Sequence, residues 1–367
     1  MKDNYKIGII GATGMVGQRF ITLLHDHPWY TIKVLAASSR SAGKTYRDAV
    51  GAKWAMNEEI PASVADMVVM DATADIEKIA AEVDFVFCAV DMKKDEIKAL
   101  EEAYAKAECP VVSNNSAHRH TPDVPMIIPE INPGHLDIIP AQRKRLGTKR
   151  GFIAVKSNCS LQSYLPAMAI INEKYPIDKS IVTTYQAISG AGKTFNTWPE
   201  MVDNLIPYIG GEEMKSEVEP NKILGEFKDG EIVPSNALQI ECQTYRVPVS
   251  DGHTAAIFFS FKDSENKPSV EEIQNMWKEF KGEPQKLNLP HAPKQFIHVY
   301  TEDETPDQPQ IKTAREIDGG MAISCGRLRN STQFDYKMVS MSHNTLRGAA
   351  GGAVLLAELL TAKGWLD

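Results

Sequence analysis

The sequence predicts a two-domain α/β protein: a parallel, doubly wound sheet first, then an α+β unit built on a mixed sheet. Three observations carry this. The 367 residues exceed the length at which a single hydrophobic core stops growing. Up to about residue 157, short apolar strand candidates alternate with helical patterns, which implies parallel strands joined by crossovers. Beyond that point the strand candidates lengthen and the helices between them thin out.

Residues 5–10 (YKIGII) read as a buried strand, GATGMVG as a turn, and the spacing of Phe20, Leu23 and Leu24 as a helix. TIKVLAAS is a second strand ending near Ser38. DFVFCAV and PVVSN are two more, bracketing the helix-like KKDEIKALEEAYAKA. A helix is expected directly after Cys159, followed by strands in SIVTTYQAIS, ALQIECQTYRVPV and TAAIFFSFK. The last stretch, NTLRGAAGGAVLLAELLTAKGW, reads as a helix rich in small residues that packs back across the first domain. The expected domains are 1–157, completed by a C-terminal helix 343–367, and 158–342.

Hydrophobic residues at 43% and charged residues at 24% describe a globular protein. The formal net charge of -8 disfavours nucleic acid and anionic membrane as partners. Five scattered cysteines without a C-x-x-C pair suit a reducing compartment and argue against disulfides or structural zinc. The N-terminus runs almost directly into a strand, and no apolar run reaches about 18 residues, so a cytoplasmic protein is expected. His118 and His120 in HRH lack matched ligand spacing, and no metal is expected.

Gly8, Gly11, Gly14 and Gly17 form G-x-x-G-x-x-G between the first strand and the first helix, where backbone amides can meet a pyrophosphate. That makes the first domain Rossmann-type and dinucleotide-binding, with Gly11, Thr13, Gly14, Met15 and Val16 as candidate contacts. An NAD-specific site usually places Asp or Glu at the end of the second strand. Here Ser38, Ser39 and Arg40 stand there and can hold a 2′-phosphate, which favours NADP. Arg40 as a plain solvated loop cation is the alternative.

Cys159 lies in the polar segment KSNCS at the expected domain junction. A helix N-terminus behind it would favour the thiolate, whereas an isolated buried cysteine is usually inert. A strand ending in a glycine turn, YQAISGAG, can carry Gln186 towards it. RVPVSDGH places Arg246 and His253 around a strand end, one suited to gripping a carboxylate and the other to moving a proton.

Taken in order, GATGMVGQRF, NNSAHR, SNCS, YQAISGAG, IPYIGGEEMKSEVEPNKILGE, RVPVSDGH and SHNTLRGAAGGAVLLAE resemble aspartate-semialdehyde dehydrogenases across nearly the whole chain. DVPMIIPEINPGHL and NLIPYIGGEE resemble the archaeal and fungal branch. The resemblance implies Cys159 as nucleophile, His253 as general acid/base and Gln186 as an orienting residue. It implies that Arg246 clamps the substrate α-carboxylate, and that Glu212 receives its ammonium, with Glu213 one residue away as the alternative. Lys215, Arg119 and Asn158 would contact phosphate, and Ser189, Gly190 and Asn344 the nicotinamide side of NADP. A solvated helix pair is the other reading of Glu212 and Lys215. The second domain would be catalytic and dimerising, in a homodimer or homotetramer.

The implied reaction reduces L-4-aspartyl phosphate to L-aspartate 4-semialdehyde, in lysine, threonine and methionine biosynthesis. A malonyl-CoA reductase and a non-catalytic NADP-binding paralogue are the rival readings. Two departures stand out: Leu161, Gln162 and Ser163 follow SNCS where the family carries small residues, and KTFNTW follows SGAG.

Overall fold

The computed structural model describes Lys2 and residues 4–367; Met1 and Asp3, inside the expected first domain, lie outside the described residues. Seven strands form the first sheet: β1 Tyr5–Ile10, β2 Tyr30–Ala37, β3 Met70–Asp71, β4 Phe85–Cys88, β5 Val111–Ser113, β6 Met126–Ile127 and β7 Ile153–Lys156. Their order is β3-β2-β1-β4-β5-β7-β6, and every pairing is parallel. β4, β5 and β7 are buried at every position, as parallel strands covered on both faces must be. The helix Met15–Leu24 follows β1 closely because Gly17 lacks a side chain. A Cβ there would lie 2.2 Å from the Gly11 carbonyl oxygen.

After β7 come β8 Ile177–Gln186, a hairpin of β9 Glu226–Lys228 with β10 Glu231–Val233, then β11 Gln239–Arg246, β12 His253–Phe261, β13 Ile297–Val299, β14 Ile323–Asn330 and β15 Tyr336–Ser342. The second sheet runs β11-β8-β12-β15-β14-β13 and is mixed, with β11–β8 and β14–β13 parallel and the central pairings antiparallel. β8 and β12 alternate between buried and exposed residues because helices cover only one face. On that side Val182, Ile257 and Phe259 share a core with Met168 and Trp277 of the helices Leu165–Lys174 and Val270–Glu279. The other face presents Ile181, Tyr185 and Phe258 at 36–40% exposure, with Tyr185 stacked on Tyr245.

The terminal helix spans Ala350–Ala362 and packs against the helix Met15–Leu24 and strands β5 and β7. It starts seven residues later than 343. His343 Nδ1 accepts the amides of Thr345 and Leu346, and Arg347 N–H is drawn to Gly320 O, which holds 343–349 in turns. Glu358 is the helix's one buried charge. His27 Nε2 (2.9 Å) and His291 Nδ1 (2.5 Å) both meet its Oε1, and the His291 amide donates to Oε2.

A second buried pair joins more distant parts. The Arg347 guanidinium is fully buried, with Nη1 2.7 Å from Glu130 Oε1, Nη2 on Glu130 Oε2, and Nε donating to Gln162 Oε1 at 3.1 Å. Phe296 lies under its plane, 4.9 Å from the ring centroid. Removing one partner of such a pair strands the other charge away from water. Glu130→Ala is therefore expected to cost about 3–5 kcal/mol in chemical denaturation. A loss below about 1 kcal/mol would show that the pair does not hold the fold.

Candidate active site

The segments that matter leave the C-terminal ends of the parallel strands, where open α/β sheets place their ligands. A cavity of about 410 Å³ is lined by Gly11, Thr13 and Gly14 after β1, and by Ser38, Ser39 and Arg40 after β2. A second, of about 460 Å³, contains Val16, Arg119, Asn158, Cys159, Glu212 and Lys215, with Ser189, Gly190 and Asn344. Val90, Asp91 and Met92 line both, so the two form one cleft. Of the expected cofactor contacts, Met15 alone lines neither cavity; it is the first residue of its helix.

The chain turns at Ser157–Ser160 after β7. Asn158 Oδ1 holds the turn by accepting from the Ser160 amide and hydroxyl, at 2.8 and 2.7 Å. The helix expected directly after Cys159 begins only at Leu165, behind a 3₁₀ turn at Leu161–Ser163. The helix dipole therefore does not reach Cys159 as the sequence suggested, because its effect fades within the first turn. Burial pushes the thiol up, and the Glu212 carboxylate adds to this.

The departure at 161–163 has a structural use. Gln162 Nε2 donates to Ser157 Oγ at 2.7 Å, while its oxygen accepts from Arg347. Ser163 Oγ bonds Ser160 O, and Ser340 Oγ bonds Ser163 O. Polar side chains thus clamp the turn that carries Cys159.

The mixed sheet brings its own edge to the same place. β8 and β11 run parallel and end in register at Gln186 and Arg246, and antiparallel β12 begins at His253 opposite Gln186. His253 Nε2 lies 3.5 Å from Cys159 Sγ. The Ala187 amide donates to His253 Nδ1 at 3.1 Å, so in the neutral ring the proton sits on Nε2 and faces the sulfur. Burial, with Arg246 beside it, pushes His253 down to about 3, so the ring is neutral at physiological pH.

Arg246 is buried and donates to Ala187 O at 2.6 Å. Gly190 closes over both residues: a Cβ there would lie 2.9 Å from Arg246 Nη1 and 3.2 Å from the His253 ring. Gln186 does not touch the thiol. Its Nε2 donates to Thr184 Oγ1 and to Glu212 Oε2.

Glu212 accepts from Asn158, Gln186 and Lys215, the last at 2.6 Å. Burial alone would raise its carboxyl. The Lys215 ammonium and these hydrogen bonds outweigh that and leave it lowered, so it is a carboxylate. Glu213 instead accepts the Thr244 amide, which leaves Glu212 as the residue in the cavity. Asn344 ties the nicotinamide-side candidates together, donating to Ser189 Oγ and accepting the Gly252 amide.

Three residues escaped the sequence reading. Glu219 holds Arg119 at 3.0 Å and accepts the Asn158 amide with its other oxygen. Its spacing from Glu212 and Lys215 on one helix face was the available signal. Lys156, ending the apolar strand three residues before Cys159, lines the cavity. Arg347 lies in a stretch that reads as helix and offers no such hint.

Among the described residues, His27, His291 and Glu358 are grouped closely enough to hold a metal ion. The Trp29 amide donates to His27 Nδ1, which places the proton on Nε2 towards Glu358, so the group reads as a hydrogen-bonded staple. His118, from the HRH stretch, contacts Thr121 Oγ1 and Lys98 O.

The chain as a whole is similar to known proteins. The description "Semialdehyde dehydrogenase, NAD binding domain" matches residues 6–139, and "Semialdehyde dehydrogenase, dimerisation domain" matches 168–347. An aspartate-semialdehyde dehydrogenase of Saccharomyces cerevisiae is 43% identical, covering 97% of each chain. One of Methanothermobacter thermautotrophicus is 41% identical, covering 96% of this chain and 98% of its own. The crystal structure of a Candida albicans aspartate-semialdehyde dehydrogenase with NADP superposes with a TM-score of 0.88 at 40% identity, covering 99% of each chain. With fungal and archaeal relatives at this level along its whole length, the chain belongs to the aspartate-semialdehyde dehydrogenase family.

Proposed function

We propose that the protein is a phosphorylating, NADP-dependent aspartate-semialdehyde dehydrogenase that reduces L-4-aspartyl phosphate to L-aspartate 4-semialdehyde. It serves the biosynthesis of lysine, threonine and methionine, in the cytoplasm. The observation that carries the proposal is the 3.5 Å approach of His253 Nε2 to Cys159 Sγ, whose residue lines a cavity with Glu212 and Lys215. Residues 1–157 with the terminal helix bind the cofactor, and 158–342 form the catalytic and dimerising domain. The uncovered sheet face around Ile181, Tyr185 and Phe258 suits a second copy, in a homodimer or homotetramer.

The cleft fits NADP: the glycine turn offers amides for a pyrophosphate, and Ser38, Ser39 and Arg40 line the same cavity without an acidic residue among them. When bound, NADPH supplies the hydride that takes the acyl group to the aldehyde level.

The chain's own groups do the remaining work. Arg246 receives the substrate α-carboxylate and Glu212 the ammonium, which directs the β-acyl carbon to Cys159. As Sγ bonds to that carbon, the thiol proton passes to a phosphoryl oxygen of the acyl phosphate and departs with it, while the tetrahedral oxyanion accepts a hydrogen bond from the Nε2–H of neutral His253. Phosphate leaves as the carbonyl re-forms, giving a thioester. Gln186 orients this set through Glu212. Arg119, Lys215 and Asn158 bound the phosphate side, and Ser189, Gly190 and Asn344 the nicotinamide side. A carboxylate at Glu212 suits a substrate ammonium, which malonyl-CoA lacks.

Purified protein should oxidise aspartate semialdehyde with NADP only when inorganic phosphate is present. Cys159→Ala should lower kcat by about 10⁴-fold or more while NADP binding persists. Coenzyme A replacing phosphate as the required acceptor would sink this substrate assignment.

Arg40→Ala should raise KM for NADP about 10–100-fold, the range of a lost charged hydrogen bond, and move KM for NAD less than about twofold. Equal effects on both would remove Arg40 from the 2′-phosphate.

Alkylation of Cys159 by iodoacetamide follows the thiolate, and a raised thiol beside a neutral imidazole holds little of it at pH 7. The rate should still be climbing at pH 9.0, the ordinary thiol value. A plateau between about pH 5 and 8 would instead indicate a thiolate–imidazolium pair.

A further inference from the structure

Among the described residues that line the Cys159 cavity, every cation but one is ion-paired or stands in solvent; Arg246, just outside this lining, is committed to the Ala187 carbonyl. Arg119 is paired with Glu219 at 3.0 Å, and Lys215 with Glu212 at 2.6 Å. Lys94 is exposed. Lys156 is different. It is 2% exposed, lines the same cavity as Cys159, and forms no ion pair among the described residues. Its Nζ makes one hydrogen bond, to Gly348 O, which leaves two of three N–H donors unused. Gly348 itself abuts the nucleophile, since a Cβ on it would lie 2.9 Å from Cys159 Cβ. The Lys156 carbonyl accepts from Arg119 Nε at 3.2 Å, so the two cations belong to one locus.

A buried ammonium without a counter-ion is costly unless an anion arrives to meet it. We propose that Lys156 is a further binding residue for the substrate's phosphoryl group, supplying the uncompensated positive charge that Arg119 and Lys215 lack once their carboxylate partners are counted. The assignment rests on the phosphorylating reaction proposed above. Burial pushes Lys156 down to about 7, with Arg119 adding to it and the charges of Cys159, Glu219 and Glu212 opposing without overcoming it, so near neutral pH the residue is only partly charged. A phosphate dianion entering the cavity holds the proton on Nζ, and the site charges fully when it is loaded.

The test uses inorganic phosphate and the full-length chain. Without turnover, phosphate should protect Cys159 from iodoacetamide, and Lys156→Met should raise the half-protecting concentration at least about tenfold. In the oxidative assay the same variant should raise KM for phosphate by a similar factor, leaving KM for aspartate semialdehyde and NADP within about twofold. NADP binding and the melting temperature check that the variant is folded, and Lys156→Gln serves in the same two assays if Met is not tolerated. Phosphate protection and KM within twofold of the parent would overturn the proposal, as would a fall in kcat alone, which marks a structural residue. If the parent is protected by phosphate but does not turn over aspartate semialdehyde, the reaction assignment fails and protection still decides on Lys156. If phosphate does not protect the parent at all, Lys156 binds no phosphate.

Discussion

The bidentate pair of Arg347 with Glu130 is the constraint on which the site depends. It is fully buried, and its third donor goes to Gln162, whose amide reaches Ser157 at the start of the turn that carries Cys159. One guanidinium thus connects the approach to the terminal helix, the loop after β6 and the segment carrying Cys159. A fork of five donors in fixed geometry specifies directions as well as attraction, so it holds a turn in one place where a hydrophobic contact would let it slide. The Leu-Gln-Ser stretch after Cys159 and Ser160 belongs to this clamp.

With that turn held, two sheet edges meet. The parallel sheet offers its C-terminal ends, and the mixed sheet offers Gln186, Arg246 and His253 in adjacent register. Register matters because a one-residue slip of any of these strands would turn its own side chain to the opposite face and away from the other two. The Ala187 amide then settles the neutral His253 tautomer, which turns the Nε2–H towards the Cys159 sulfur.

Charge in the cleft is arranged in pairs. Glu219 serves two groups at once, Arg119 and the Asn158 amide, while Glu212 gathers Asn158, Gln186 and Lys215. These carboxylates orient their neighbours and cancel much of the local positive charge. Among the described residues that line the Cys159 cavity, Lys156 is the buried cation left without an ion pair, and Arg246 beside His253 likewise has only the Ala187 carbonyl.

Local signals made the framework legible. The β1 strand, its glycine turn and the following helix are encoded within some twenty residues, and the alternation up to residue 157 dictates a parallel sheet. The order of motifs likewise brought out Cys159, Gln186, Arg246 and His253, and the serine-arginine stretch after β2 pointed to a 2′-phosphate. Tertiary structure decided what depends on distant partners. It selected Glu212 over Glu213 because Thr244, over thirty residues away in sequence, takes the latter. It delayed the helix after Cys159 to Leu165 and the last helix to Ala350, because buried polar bonds to remote segments outweighed local helical preference. It also left Lys156 lining the cavity with no ion pair among the described residues, since a charge is paired or unpaired only by what the fold brings beside it.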